Sequence, residues 1–208
     1  MAEAGAPRAV KKIALTGGIA TGKSYVLDRL RRRGVPCLDA DVLAHGVMVA
    51  GSEATDAIAR RFGPEALAAD GSVNRRHLAP IVFADASARR DLEAIVHPAV
   101  YRAIGAALRG IARVDDAPLA VVDIPLLYET GHGGDFDRVI ATVCRPELQI
   151  ARLVERGLSE PEALQRLDAQ MPAEEKARRA DFTITTDGSF AETDAQVDAI
   201  LARLQSSI

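Results

Sequence analysis

The stretch Gly17-Gly18-Ile19-Ala20-Thr21-Gly22-Lys23-Ser24 satisfies the spacing G-x-x-x-x-G-K-[ST], whose chemistry is the grip of a phosphate chain. Glycines let the backbone wrap close to phosphate oxygens, and the N–H groups of the loop and of the next helix point at the anion. Gly17, Gly18, Ala20, Thr21 and Gly22 would form this cradle, with Ala20 and Thr21 expected at negative φ. Lys23 would reach the β- and γ-phosphates and Ser24 would hold Mg²⁺. ATP is the expected ligand, although the loop alone does not exclude GTP.

Phosphoryl transfer also needs carboxylates, and two candidate groups follow. Asp39-Ala40-Asp41 ends an apolar run of strand length, where a parallel sheet collects its ligands. Asp41 is assigned the role of base toward an attacking hydroxyl, and Asp39 a metal-shell or structural role; the alternative is that Asp41 caps the helix beginning at Val42. Asp123 ends Ala120-Val121-Val122-Asp123 in a Walker-B-like position, where it either holds the metal through water or bonds the backbone. Arg152 and Arg156 stand four apart on one helix, so both can address one anion; the alternative is a solvated face. The histidines His45, His77, His97 and His132 show no metal spacing.

The elements that must position these residues alternate between strand-length apolar runs and helical patterns, as in a parallel sheet covered by helices. Strands are expected at Lys12 to Thr16, Val35 to Asp39, Leu119 to Ile124, Arg138 to Val143 and Phe182 to Thr185. The first is followed by the glycine-rich turn and a helix from Ser24 to Arg33, stopped by Gly34. Between the second and third strands lie helical patterns at Val42 to Val49, Ser52 to Phe62, Arg75 to Phe83 and Ser87 to Val114, the last kinked or restarted at Pro98. Residues 42–117 therefore read as a helical lobe inserted into a sheet core of residues 10–41 and 118–205, and residues 1–9 as a disordered leader. Pro146 opens a helix that Gly157 ends, and Ser159/Glu162 and Ser189/Glu192 form capping boxes. The cluster Glu174-Glu175-Lys176 with Arg178-Arg179 reads as a solvated helix face.

Composition narrows the partners. The 208 residues are 48% hydrophobic and 26% charged with a formal net charge of −3, and acids and bases are interleaved. There is no basic coat for nucleic acid, and three Tyr, five Phe and no Trp make a poor base-stacking surface for a strand. No apolar stretch is long enough to span a bilayer. Two cysteines, Cys37 and Cys144, are too few for a disulfide scaffold. A cytoplasmic monomer acting on small molecules is expected.

The pattern as a whole resembles the dephospho-coenzyme A kinases. Leu15-Thr16-Gly17-Gly18-Ile19, Asp39-Ala40-Asp41, Arg76-His77-Leu78 with Val82-Phe83, His97-Pro98, Ile124-Pro125-Leu126-Leu127-Tyr128-Glu129 and Gln149-x-x-Arg152-x-x-x-Arg156 occur in that family's order and spacing, from about Lys12 to Gln205. The resemblance implies a P-loop NTPase fold, a three-layer α/β/α arrangement with a five-stranded parallel sheet, an inserted acceptor-binding lobe and a small helical lid near residues 146–172. It implies ATP-dependent phosphorylation of the ribose 3′-hydroxyl of dephospho-coenzyme A. Carried over by motif, Asp41 is the base, with Thr16, Asp39, His45, Arg76, His97, Leu126 and Glu129 on the acceptor side and the lid arginines neutralising the transferred phosphoryl group. The chain departs from the family's pattern at Tyr25, where Thr is usual, and at Thr186-Asp187-Gly188, where Asn-x-Gly tends to lie beside adenine. Tyr25 and Thr186 are both assigned to the nucleotide wall. The alternatives are another small-molecule P-loop kinase, or a nucleotide-binding switch, whose Asn-Lys-x-Asp and Asp-x-x-Gly signatures are not in place.

Overall fold

The computed structural model describes residues 10–114 and 117–206. The expected leader, residues 1–9, lies outside the described residues. The chain divides into two compact units, one holding residues up to Leu38 and from Leu108 onward, the other Asp39–Ala107.

The first unit is built on a five-stranded parallel sheet in the order β2-β3-β1-β4-β5. Its strands are β1 (Lys11–Gly17), β2 (Cys37–Asp39), β3 (Leu119–Asp123), β4 (Arg138–Val143) and β5 (Phe182–Thr185). In the central strand β1, Ile13 faces Val121 of β3 and Arg138 of β4, and β4 pairs in turn with β5, all in parallel. The apolar runs that announced these strands are explained by burial: Ile13, Ala14 and Leu15 are fully enclosed, and all five residues of β3 are buried. β2 is shorter than its apolar run: Pro36 O accepts from Val121 N at 2.9 Å, but the proline has no N–H to return a bond.

Helices flank the sheet. α1 (Lys23–Arg32) buries Val26, Leu27 and Leu30 and stops at Gly34, whose φ of 77° suits a residue without Cβ. These side chains join Ile13, Leu15, Val121 and Ile140 and the inner face of the C-terminal helix in one core.

In the second unit, α2 (Ala40–Gly46) begins two residues before the expected Val42. The reason is Asp39, whose carboxylate accepts from the N–H groups of Asp41 at 2.9 Å and Val42 at 3.2 Å. The helix cap is therefore Asp39, and the capping alternative for Asp41 is excluded. α3 (Glu53–Phe62) is capped by Ser52, and α4 (Arg75–Ala84) by Asn74. Ile58, Ala66, Val73 and Leu78 form this unit's own core. α5 (Ala86–Val114) continues through Pro98 as one helix, so the expected restart is absent. A proline deletes one N–H bond and crowds one carbonyl; here the flanking Ala99, Val100 and Ile104 are buried and carry the helix across.

The chain returns to the first unit through β3 and β4. α6 (Pro146–Glu155) starts on Pro146, and Gly157, at φ 93°, follows its end. α7 (Glu160–Asp168) carries the Ser159/Glu162 capping box, and α9 (Phe190–Ser206) the Ser189/Glu192 box. Between them lies α8 (Ala173–Arg179), the basic and acidic cluster read as solvated. That reading fails for Lys176, which is fully buried.

Candidate active site

The glycine-rich loop joins β1 to α1 and lines a cavity of about 710 Å³, together with Lys23, Ser24, Tyr25, Pro125, Arg152, Arg156, Thr186 and Phe190. Its first glycine is sterically required, since a Cβ on Gly17 would lie 2.1 Å from the Thr142 hydroxyl. Gly22 closes the loop at φ 83°, and no acidic residue occupies the first turn of α1, so the helix start is electrostatically open to an anion.

The loop holds its form because four successive carbonyls are taken up by the surrounding protein. Gly18 O accepts from the Thr21 hydroxyl at 2.8 Å, and Ile19 O from Gln149 Nε2 at 2.5 Å. Ala20 O accepts from Arg152 Nη1 at 3.0 Å, and Thr21 O from the Thr186 hydroxyl at 2.8 Å. Thr21 N–H is also taken, by Gly18 O at 3.3 Å; with the carbonyls fixed, the N–H groups at the loop's end and the start of α1 are the donors offered to an anion. Ala20 sits at φ +59°, against the expectation of a negative angle. That region is unfavourable for a residue with a Cβ, and the clamp on its carbonyl, with its burial beside Leu153 and Ala163, holds it there.

Lys23 forms an ion pair with Asp123 at the end of β3. Both side chains are largely enclosed, which strengthens their attraction. Asp123 thus neither waits as an isolated metal ligand nor serves only the backbone. Arg152 lines the cavity, yet it also donates to Thr186 O at 2.8 Å and to the Thr186 hydroxyl at 3.1 Å. Arg156 caps the C-terminus of α6, is exposed and lines the same cavity. The two arginines expected to act alike are therefore differently placed, one braced on the loop and one open to solvent.

Lys176 is the charged group that sequence reasoning missed. Its ammonium donates to Pro125 O at 2.7 Å and pairs with Glu129 at 2.8 Å. Burial pushes its pKa down, while the bond to Glu129 opposes that shift. Glu129, expected on the acceptor side, also accepts from Met171 N at 3.1 Å, tying the end of the α7 segment to the loop after β3. Gln149, likewise unassigned a role beyond its place in a motif, is buried. Burial of an amide facing a glycine-rich loop is the signal that would have marked it, and that signal is tertiary.

The remaining acceptor-side candidates are distributed between the units. The Thr16 hydroxyl is buried and donates to Pro125 O at 3.2 Å, while Leu126 is largely exposed. In the other unit, Asp41 is exposed in the first turn of α2, and His45 near its end contacts Arg75 rather than Arg76. Arg76 is exposed on α4 and His97 is half-buried on α5. No group of three or more potential metal-ligating side chains occurs among the described residues, and no described helix is long and apolar enough to cross a membrane.

Comparison with known proteins agrees with this geometry. A dephospho-CoA kinase from Symbiobacterium thermophilum is 46% identical over 90% of this chain and 78% of its own length. One from Anaeromyxobacter dehalogenans is 45% identical over 94% of this chain and 93% of its own. Among solved structures, a Thermus thermophilus protein superposes with a TM-score of 0.78 at 37% identity, over 94% of this chain and 98% of that one. A dephospho-CoA kinase from Campylobacter jejuni gives 0.71 at 27% identity, with the same coverage. A shikimate kinase from Acinetobacter baumannii, at 16% identity and a TM-score of 0.53, shares the fold alone. The dephospho-CoA kinase family model matches residues 11–192, and the chain belongs to that family.

Proposed function

We propose that this protein transfers the γ-phosphoryl group of ATP to the ribose 3′-hydroxyl of dephospho-coenzyme A, giving coenzyme A and ADP, the last step of coenzyme A synthesis. The observation that carries the reading is the clamped loop with Lys23 at its end, in a chain of the dephospho-CoA kinase family. The loop amides and the start of α1 bind the phosphates, and Lys23 exchanges Asp123 for the β- and γ-phosphates when ATP arrives. Arg156 neutralises charge on the transferred group, and Arg152 keeps the cradle rigid while bordering it.

Asp41 serves as the base. The geometry that supports this role is its exposed place in the first turn of α2, with capping left to Asp39. The acceptor's polar contacts in the helical unit are Arg76, His45 and His97; Thr16, Leu126 and Glu129 are the acceptor-side candidates of the sheet unit. Of the segment near residues 146–172, Gln149 and Arg152 stay fixed on the phosphate loop, and the part that follows them acts as the lid, whose closure excludes water that would otherwise compete as acceptor.

Mg²⁺ fits the residues present. Ser24 and Asp123 offer one hydroxyl and one carboxylate without a protein cage, which suits an ion that keeps waters and binds largely through substrate phosphates. When bound with ATP it supplies neutralisation of phosphate charge.

The test is an acceptor-dependent assay of ADP release. Turnover is expected with dephospho-coenzyme A and not with shikimate, gluconate, AMP or uridine. Phosphorylation of one of those, without dephospho-coenzyme A turnover, overturns the reading.

A further inference from the structure

The nucleotide cavity contains a feature that phosphate binding leaves unexplained. Phe190, the first residue of α9, is 71% exposed and yet lines that cavity. A phenyl ring left in water forgoes the gain of burial, and the Ser189/Glu192 box holds the helix start, and so this ring, in place. Its centroid lies 4.7 Å from that of Tyr25, with the planes 30° apart. Tyr25 is itself fixed: its hydroxyl donates to Asp194 at 3.0 Å, the Arg29 guanidinium lies 4.7 Å from its ring centroid, and Arg29 pairs with Asp194 at 2.9 Å. Phe190 is thus the exposed end of a braced aromatic cluster.

The polar side chains of the same wall are committed elsewhere. The Thr186 hydroxyl donates to Thr21 O and accepts from Arg152, so it supports the phosphate loop. The Thr193 hydroxyl is buried and donates to Ser189 O at 3.2 Å. We infer that the nucleobase of ATP stacks on Phe190, with Tyr25 as backing, and that this wall holds the base by ring area rather than by threonine hydrogen bonds. The inference rests on the ATP-dependent kinase reading above and names the group that secures the base. Stacking of this kind tolerates any base, so the wall secures the nucleobase without selecting ATP over GTP.

The experiment compares wild type, Phe190→Ala and Phe190→Tyr. Calorimetry measures the affinity of each for ATP and for inorganic tripolyphosphate, which has the phosphates without the base; steady-state kinetics then gives KM for ATP and for dephospho-coenzyme A. Phe190→Ala is expected to weaken ATP on the order of tenfold, as loss of one base–aromatic stack does. Its tripolyphosphate affinity, its KM for dephospho-coenzyme A and its melting temperature should stay at wild-type values, and Phe190→Tyr should restore ATP binding. Unchanged ATP affinity in Phe190→Ala, equal weakening of tripolyphosphate, or failure of Phe190→Tyr to rescue overturns the inference. If wild type binds ATP but does not phosphorylate dephospho-coenzyme A, the functional reading fails, and the ATP against tripolyphosphate comparison still decides the role of Phe190.

Discussion

At the scale of single residues, the acids of Asp39-Ala40-Asp41 divide the work. Asp39 spends its carboxylate on two backbone N–H groups, and Asp41 stays exposed beside them. Replacing Asp41 by Asn keeps the shape and removes the proposed base, so kcat should fall by about 10²- to 10⁴-fold, the usual worth of general base catalysis. ATP affinity, measured separately, should stay near wild type. Full activity in that variant would remove Asp41 from the mechanism. Cys37 gives a pH-dependent prediction. Burial pushes its thiol from 9.0 up to about 11, with a smaller opposing effect from Arg31. In the unfolded chain the thiol ionises first, so between about pH 9 and 11 the native state holds more protons and stability falls as pH rises. The contribution is fully present below pH 9. Alkylation of Cys37 should show a midpoint near 11 in the native protein and near 9 in denaturant, and Cys37→Ala should flatten the alkaline loss of stability.

At the scale of elements, α6 is a brace for the phosphate loop. Gln149 and Arg152 lie one helical turn apart and take successive loop carbonyls, Ile19 O and Ala20 O. Gln149→Leu is close in volume but leaves Ile19 O without its donor, at a cost of about 1–3 kcal/mol for a buried polar group. The expected result is an ATP KM raised several-fold with a smaller change in KM for dephospho-coenzyme A, read from initial rates. Equal effects on both substrates would mean that the side chain matters only for stability. α8 plays a related part, since Lys176 joins the loop after β3 to Glu129, which in turn holds Met171 N. Burial works against the protonation of the Lys176 ammonium, the pairing with Glu129 favours it, and the ammonium of Lys23 opposes it.

At the scale of the whole molecule, each of the two units has its own core, one around Ile13 and Ile140 of the sheet and one around Ile58 and Leu78. The proposed assignment of the nucleotide to the first unit and the acceptor to the second is testable by kinetics. Arg76→Ala, on an exposed position of α4, should raise KM for dephospho-coenzyme A by roughly tenfold, the loss of one charge-assisted bond to an anionic acceptor. KM for ATP should change by less than about twofold if the nucleotide is held wholly by the other unit.

The strands, the glycine-rich loop, both capping boxes and the helix stops at Gly34 and Gly157 were legible in the chain, because each depends on residues within one or two turns of each other. So was the family, since its motifs are linear. The tertiary structure decided what depends on neighbours distant in sequence. Lys176 looks solvated in sequence and is buried because the loop after β3 folds over it. Ala20 adopts a positive φ because Arg152, more than a hundred residues later, holds its carbonyl. α5 continues through Pro98 because the residues after the proline are packed. Local pattern determines which element forms, since it acts through steric and capping forces of short range. Which polar groups are held, buried or left open to a substrate is determined by burial and long-range hydrogen bonds, and these exist only once the chain has folded.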